Sequence, residues 1–290
     1  MNDVLLTDAE LRALARARVR LEKVRGTLPG LHPSPWTGLS LEFADHRPYQ
    51  EGDDYRLIDW TVYARLGRLV TKVFSQEAES PLYLLLDTSA SMGQGHPSKL
   101  RTASRLAAAF AFMAHRSQDR FSIHRLGEER DDHLSPRRGK GALVESFRLL
   151  NHVQAVGSRS LDEDLLRWAR ASRAPGTCVV LSDFLSPEGY EKGLTALQHR
   201  PHQVRAVQLL AEVDLDPPRL GEVRLWDVET RRSRPLVLGR EAWRSYQSAL
   251  RKWNEGLSSV CRKLGVEHFM FRSDAAPVEA ALTVSARRSL

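Results

Sequence analysis

Leu82-Tyr83-Leu84-Leu85-Leu86-Asp87-Thr88-Ser89-Ala90-Ser91-Met92 is the stretch that decides the fold. Its first five residues are all apolar or aromatic, and the run stops at an acid followed by hydroxyls. Unbroken runs of this kind belong to strands of parallel sheets, which helices cover on both faces. A second run, Thr177-Cys178-Val179-Val180-Leu181, ends the same way in Ser182-Asp183.

Helical and strand patterns alternate around these two runs. Residues 98–115 read as an alanine-rich helix and 121–126 as a strand. Residues 139–152, 161–172 and 187–199 read as helices, 204–210 as a strand, 240–264 as a long helix and 266–271 as a last strand. This alternation predicts a doubly wound, mostly parallel, Rossmann-like α/β sheet. Its strands should be 82–86, 121–126, 178–181, 204–210 and 266–271, with 82–86 inside the sheet. Residues 131–134 are expected to return antiparallel as a short edge. Residues 221–237 read as an inserted β-hairpin outside the sheet, turning near Glu229-Thr230-Arg231.

Upstream, 8–25 reads as a helix capped by Thr7 or Asp8, with Leu11, Leu14, Ala15, Val19 and Val24 at helical spacing. Gly26, Pro29, Gly30, Pro33 and Pro35 then mark a linker. The stretch 36–80 is short-ranged, and its clearest strand is 69–74. The expected organisation is a small N-terminal module over 1–79 and an α/β domain over 80–290.

Composition narrows the function classes. Hydrophobic residues make up 42% of the 290, enough for a core. Two cysteines, Cys178 and Cys261, exclude a disulfide framework and a cysteine-based zinc site. The longest apolar run, 106–114, is far short of the ~20 residues a spanning helix needs. The opening residues carry Asp3, Asp8 and Glu10 and no apolar segment, so no secretory signal is expected and the expected compartment is the cytoplasm. Lys and Arg number 43 against 36 acids, a net charge of +7. The basic residues are mostly interleaved with acids, and short clusters occur only at Arg137-Arg138-Gly139-Lys140 and Arg231-Arg232. A nucleic-acid binder is therefore the weakest of three functional readings.

Open α/β sheets bind ligands at the carboxyl ends of their strands, where the winding reverses. Asp87 and Asp183 are expected there, with Asp87 a surface residue whose loss leaves the core intact. A carboxylate and two hydroxyls at alternate positions (Asp87, Ser89, Ser91) are hard oxygen donors of the type magnesium prefers. Asp-x-Asp phosphotransfer chemistry needs a second carboxylate at the position of Ser89, so its general acid is missing. The chain lacks a Gly-x-Ser-x-Gly elbow, a phosphate-binding loop with Lys-Ser/Thr and a His-Glu-x-x-His pair. A divalent-metal-dependent hydrolase using Asp87 and Asp183 stays open as the second reading.

The strand-end arrangement resembles the von Willebrand factor A fold with its metal-ion-dependent adhesion site. Upstream, Arg47-x-Tyr49-x-x-Gly52-Asp53-Asp54-x-Arg56-x-Ile58-Asp59-Trp60, then Ala64-Arg65, Lys72, Phe74 and Glu77, resembles the signature of the DUF58 family. The likeness covers roughly 35–285. It implies a von Willebrand A-like domain and a non-catalytic interaction module, an adaptor or co-chaperone for a MoxR-type AAA+ ATPase or another protein bearing an acidic ligand residue. It also implies that Asp87, Ser89, Ser91 and Asp183 hold Mg2+. The family's second-loop threonine falls at Arg159, within Gly157-Ser158-Arg159-Ser160-Leu161. A guanidinium ~4 Å from a divalent ion costs about 8 kcal/mol at an effective dielectric of ~20. Either Arg159 turns away and Ser158 or Ser160 substitutes, or Arg159 replaces the ion and pairs with Asp87 or Asp183. The charged signature at 47–77 is expected to be a buried polar network tying the small module to the main sheet, the alternative being a partner-binding face anchored by Trp60 and Tyr49.

Overall fold

The computed structural model describes residues 4–16, 41–76, 80–127, 136–156, 160–171, 174–199, 202–216, 221–226 and 233–286. They fall into two compact units, Met1–Glu22 with Ser80–Leu290, and Lys23–Glu79.

Helix α1 (Asp8–Arg16) opens the first unit. The Thr7 hydroxyl and N–H both donate to Glu10 Oε2, at 2.9 and 2.8 Å, and the Glu10 N–H donates back to Thr7 Oγ1 at 3.3 Å. This reciprocal box satisfies amides that a helix start leaves open. Leu5, Leu6 and Leu14 are buried in the core of the α/β domain. Arg105 ties the segment down, donating to Glu10 Oε1 at 2.6 Å and to the Leu5 carbonyl at 2.9 Å. The sequence reading grouped this helix with 1–79, but its apolar face belongs to the larger core. Residues 17–25 of the expected helix lie outside the described residues.

In the small unit, β1 (Leu41–Pro48) and β2 (Val70–Gln76) pair antiparallel, and α2 (Trp60–Leu66) lies between them in sequence. Strand β1 was not expected, because Asp45-His46-Arg47 breaks the apolar alternation that marks a strand. Several of the signature's charges, Arg47, Asp53, Asp59 and Lys72, are paired within the unit. Asp59 caps α2, accepting the Thr61 and Val62 amides at 2.9 and 3.2 Å, and its other oxygen meets His46 at 3.0 Å and Lys72 at 3.5 Å. Asp53 takes Arg47 at 2.6 Å and the Gln50 amide at 3.0 Å. The network thus joins β1, the start of α2 and β2.

The larger unit continues with β3 (Leu82–Asp87), α3 (Lys99–Arg116), β4 (Phe121–Leu126), α4 (Lys140–His152), α5 (Leu161–Ala171), β5 (Thr177–Ser182), α6 (Glu191–Gln198), β6 (Gln203–Leu210), α7 (Glu212–Leu215), β7 (Gly221–Trp226), β8 (Ser233–Leu238), α8 (Arg240–Leu264), β9 (Glu267–Arg272) and α9 (Pro277–Ala286). Five strands form one sheet in the order β4-β3-β5-β6-β9, and every pairing is parallel. The five strands expected from sequence are the five observed, and β3 is internal. The edge expected at 131–134 lies outside the described residues, although an antiparallel bridge from Phe121 to Arg137 marks the chain's return. β7 and β8 pair as a separate hairpin, and its turn also lies outside the described residues.

Side-chain alternation along β3 divides the core. Leu82, Leu84 and Leu86 join the cluster built on α1, α3, α4 and α9. Tyr83 and Leu85 join the one built on α5, α6 and α8. All six residues of β3 are buried. Burying a leucine side chain stabilises by about 1.5–3 kcal/mol, so this strand needs cover on both sides, and the two helical layers supply it. Among the described residues, no helix is long and apolar enough to cross a membrane.

Candidate functional site

In this strand order the winding runs from β3 to β4 on one side and on to β5 and β6 on the other. The direction changes between β3 and β5, and open α/β sheets bind ligands beyond the carboxyl ends of the strands at such a reversal. Asp87 ends β3, and Ser182-Asp183 ends and follows β5. The sheet register therefore brings the two acidic strand ends together.

Asp87 is 5% exposed, so it is a buried group and not the surface residue expected from sequence. Its Oδ1 accepts the Ser89 N–H at 2.9 Å, and its Oδ2 accepts the Ser182 hydroxyl at 2.5 Å. Ser182 Oγ in turn accepts the Phe184 N–H at 2.9 Å. Burial raises the Asp87 pKa, the charge of Asp183 raises it further, and the Ser182 and Ser89 hydrogen bonds only partly offset this. Ser89 Oγ and Ser91 Oγ lie 3.1 Å apart. Thr88, between Asp87 and Ser89, faces away and is held by the Leu126 carbonyl.

Asp183 is also buried, and its Oδ1 accepts the Leu185 N–H at 3.0 Å. Its Oδ2 meets the Lys99 ammonium at 2.8 Å, and the same ammonium lies 2.9 Å from Asp214 Oδ2. The Lys99 side chain is 1% exposed. Burial alone would lower its pKa, but Asp183 and Asp214 outweigh burial and hold it above the ordinary value, fully charged. Asp214 Oδ2 also accepts the Ala211 N–H at 2.8 Å, which fixes α7 at the site.

Sequence reasoning did not single out Lys99 or Asp214, and it read Ser182 only as a strand-end hydroxyl. One signal was present. Lys99, Ala103, Leu106 and Phe110 recur at helical spacing, and all four are buried. A lysine on the apolar stripe of a helix, in the first turn where the dipole disfavours cations, calls for acidic partners.

The second loop meets the first through the Val156 N–H, which donates to the Thr88 carbonyl at 3.1 Å. Ser158 and Arg159 lie outside the described residues. Ser160 is described, and its Oγ is buried without a hydrogen-bond partner.

The donor set suits a small hard cation in part. Mg2+ bonds of ~2.1 Å at right angles place neighbouring oxygens about 3.0 Å apart, close to the Ser89–Ser91 separation. Asp87 adds a carboxylate beside them. Asp183 is already paired with Lys99. Among the described residues, no three His, Cys, Asp or Glu side chains are grouped to hold an ion, so the hydroxyls would have to serve as ligands.

The Protein of unknown function DUF58 family matches residues 45–255. The chain belongs to the DUF58 family. The match spans the small unit's signature, the strand-end cluster and most of the sheet. This DUF58 chain is 29% identical over 216 residues to the uncharacterized protein Mb1516 of Mycobacterium bovis, covering 72% of this chain and 67% of the relative. The same values hold for the uncharacterized protein Rv1480 of Mycobacterium tuberculosis. Among solved structures it is similar to the hypothetical protein BatB from Bacteroides thetaiotaomicron, at TM-score 0.43 and 14% identity over 71% of this chain and 96% of that one. It is also similar to the SpRpn10 VWA domain, at TM-score 0.38 and 11% identity over 71% and 94%. The fold assignment for the DUF58 chain rests on its own sheet order and strand-end chemistry.

Proposed function

We propose that this DUF58 chain is a non-catalytic, cytoplasmic interaction module that presents its strand-end site to a protein partner, and that the partner is a MoxR-type AAA+ ATPase. The observation that carries the first part is the state of the site's proton-bearing groups. Both Asp87 oxygens, both Asp183 oxygens and the Lys99 ammonium are engaged in internal bonds. General acid–base turnover needs a group free to reach a substrate proton. A lysine held charged is neither base nor nucleophile. What the site offers outward is the half-buried Ser91 beside the exposed loop at Gly93, Gly95, His96 and Pro97. This arrangement supports docking over hydrolysis. The ATPase partner is carried by the family resemblance in the signature at 47–77 and adds no chemistry from the site itself.

Asp87, Ser89 and Ser91 would hold a hydrated Mg2+, with Ser160 as the second-loop hydroxyl. Bound there, the ion would supply an open coordination position for a partner's carboxylate. The chain's own part is to hold the two serine oxygens as one edge of the ligand shell and to keep Asp87 in place through Ser182.

Co-purification with the MoxR-type ATPase tests the proposal. The wild type should recover the partner. Asp87→Asn, which keeps the side chain's shape inside the buried site, should recover much less while its circular dichroism is unchanged. Equal recovery by both proteins moves the interface away from Asp87. Recovery by neither removes the ATPase.

A further inference from the structure

Buried ammonium groups are costly. Removing one from water costs several kcal/mol, and an ion pair repays this only when the geometry is good. Lys99 has that geometry twice over, with Asp183 at 2.8 Å and Asp214 at 2.9 Å. Its place at the first position of α3 adds the repulsion of the helix's positive end. A methionine would fill the same volume without these costs. The lysine therefore answers an electrostatic demand, and the demand comes from the strand ends, where two acids from distant parts of the chain are buried beside a third.

We infer that Lys99 is the built-in cation of the strand-end site: it balances Asp183 and Asp214 from inside and makes the Asp87–Ser89–Ser91 face a weak binder of divalent cations. The inference rests on the proposed cation-holding role of Asp87, Ser89 and Ser91 and states what regulates it. An ion seated on these residues meets the Lys99 ammonium as a like charge inside a poorly solvated pocket, where such repulsion is barely screened. Asp183, which would otherwise draw the ion inward, is already paired with the lysine. One of the two expectations from sequence, that Arg159 of the second loop replaces the ion, concerns a residue outside the described ones; the cation described beside Asp183 is Lys99, from the start of α3.

The shape of the site supports the same conclusion. Asp183 Oδ1 is turned by the Leu185 amide and Asp214 Oδ2 by the Ala211 amide, so both carboxylates are oriented by their own loops before they reach Lys99. The Gln208 side chain donates to the Asp183 carbonyl at 3.1 Å and fixes the backbone behind it.

The test is calorimetric titration of the full chain with Mn2+ as the probe. The wild type should bind at millimolar concentration or more weakly. Lys99→Met should bind at least tenfold more tightly. The double variant Lys99→Met/Asp214→Asn removes one charge of each sign, keeps the fold if the single variant does not, and should show the same gain. Adding Asp87→Asn to the double variant should abolish it. Tight binding by the wild type, with no gain in either variant, overturns the role given to Lys99 and leaves the cation-holding role standing. No binding by any folded variant up to 10-fold above millimolar overturns both.

Discussion

The Ser182 hydroxyl donates to Asp87 Oδ2 at 2.5 Å across 95 residues of sequence. Ser182 Oγ itself accepts the Phe184 amide at 2.9 Å, so the end of β5 grips the end of β3 through one hydroxyl. Phe184 takes a positive φ of 54° as the chain turns out of the strand. Its ring packs edge-on against Tyr190, and its carbonyl accepts the Trp253 indole N–H at 2.7 Å. The site is therefore anchored to α8 as well as to the sheet.

This grip buries Asp87, and burial, followed by the charge of Asp183, pushes its carboxyl from 3.8 up to about 6. The folded chain then holds that proton more tightly than the unfolded chain does. The sign follows: this group favours folding most below its unfolded value, and the contribution is lost as pH rises through about 4 to 6. In chelator, urea unfolding of the wild type and of Asp87→Asn between pH 4 and 7 should diverge across that window, the variant gaining relative to the wild type as pH rises. A constant difference across the window rejects the shift.

Lys99→Met should be among the costlier single changes in the chain. Stranding two carboxylates at a buried site costs about 3–5 kcal/mol. Adding Asp214→Asn should return part of the loss, because one of the stranded charges is removed with its partner. Chemical denaturation of the wild type, both single variants and the double variant closes the cycle. Strict additivity would mean that Lys99 and Asp214 do not interact.

Gly95→Ala should lower the melting temperature. Gly95 has φ +94°, and an added Cβ would lie 2.6 Å from the Ala211 Cβ at the start of α7. The strained backbone costs about 1–3 kcal/mol, and the overlap adds to it. Because α7 carries Asp214, Mn2+ titration of this variant should also change. An unaltered melting temperature would show that the two loops do not pack closely.

Trp60 and Leu84 should behave as opposites. Trp60 is 58% exposed, so Trp60→Ala should shift stability by no more than about 0.5 kcal/mol. Leu84 is fully buried in the internal strand, so Leu84→Ala should cost about 2–5 kcal/mol. If the small unit's exposed aromatic face contributes to partner binding, Trp60→Ala should lower ATPase recovery at an unchanged melting temperature. Unchanged recovery would exclude Trp60 as an anchor.

Much of this fold was legible because its signals are local. The run Leu82–Leu86 can be satisfied only between two apolar layers, and the helical patterns that alternate with the strands supply them. Strand β1 was not legible, because Asp45, His46 and Arg47 find their partners within a two-stranded unit and leave no apolar period. The placement of α1 was not legible either. Its amphipathic pattern says that one face is buried, but not that Leu14 packs into the domain beginning 66 residues later.

The sequence by itself determined the alternation of strands and helices, the strand ends at Asp87 and Asp183, and the hydroxyl pair Ser89 and Ser91, since each follows from neighbours within a few positions. Only the tertiary structure decided what those acids face. Lys99 and Asp183 are 84 residues apart, and Asp214 lies farther still along the chain. Parallel pairing and the reversal of winding set them against one another. An ion pair at 2.8 Å depends on register and helix rotation together, and no local pattern encodes both. That is why the chain reads as a cation site in sequence, and why a lysine stands beside the acid in space.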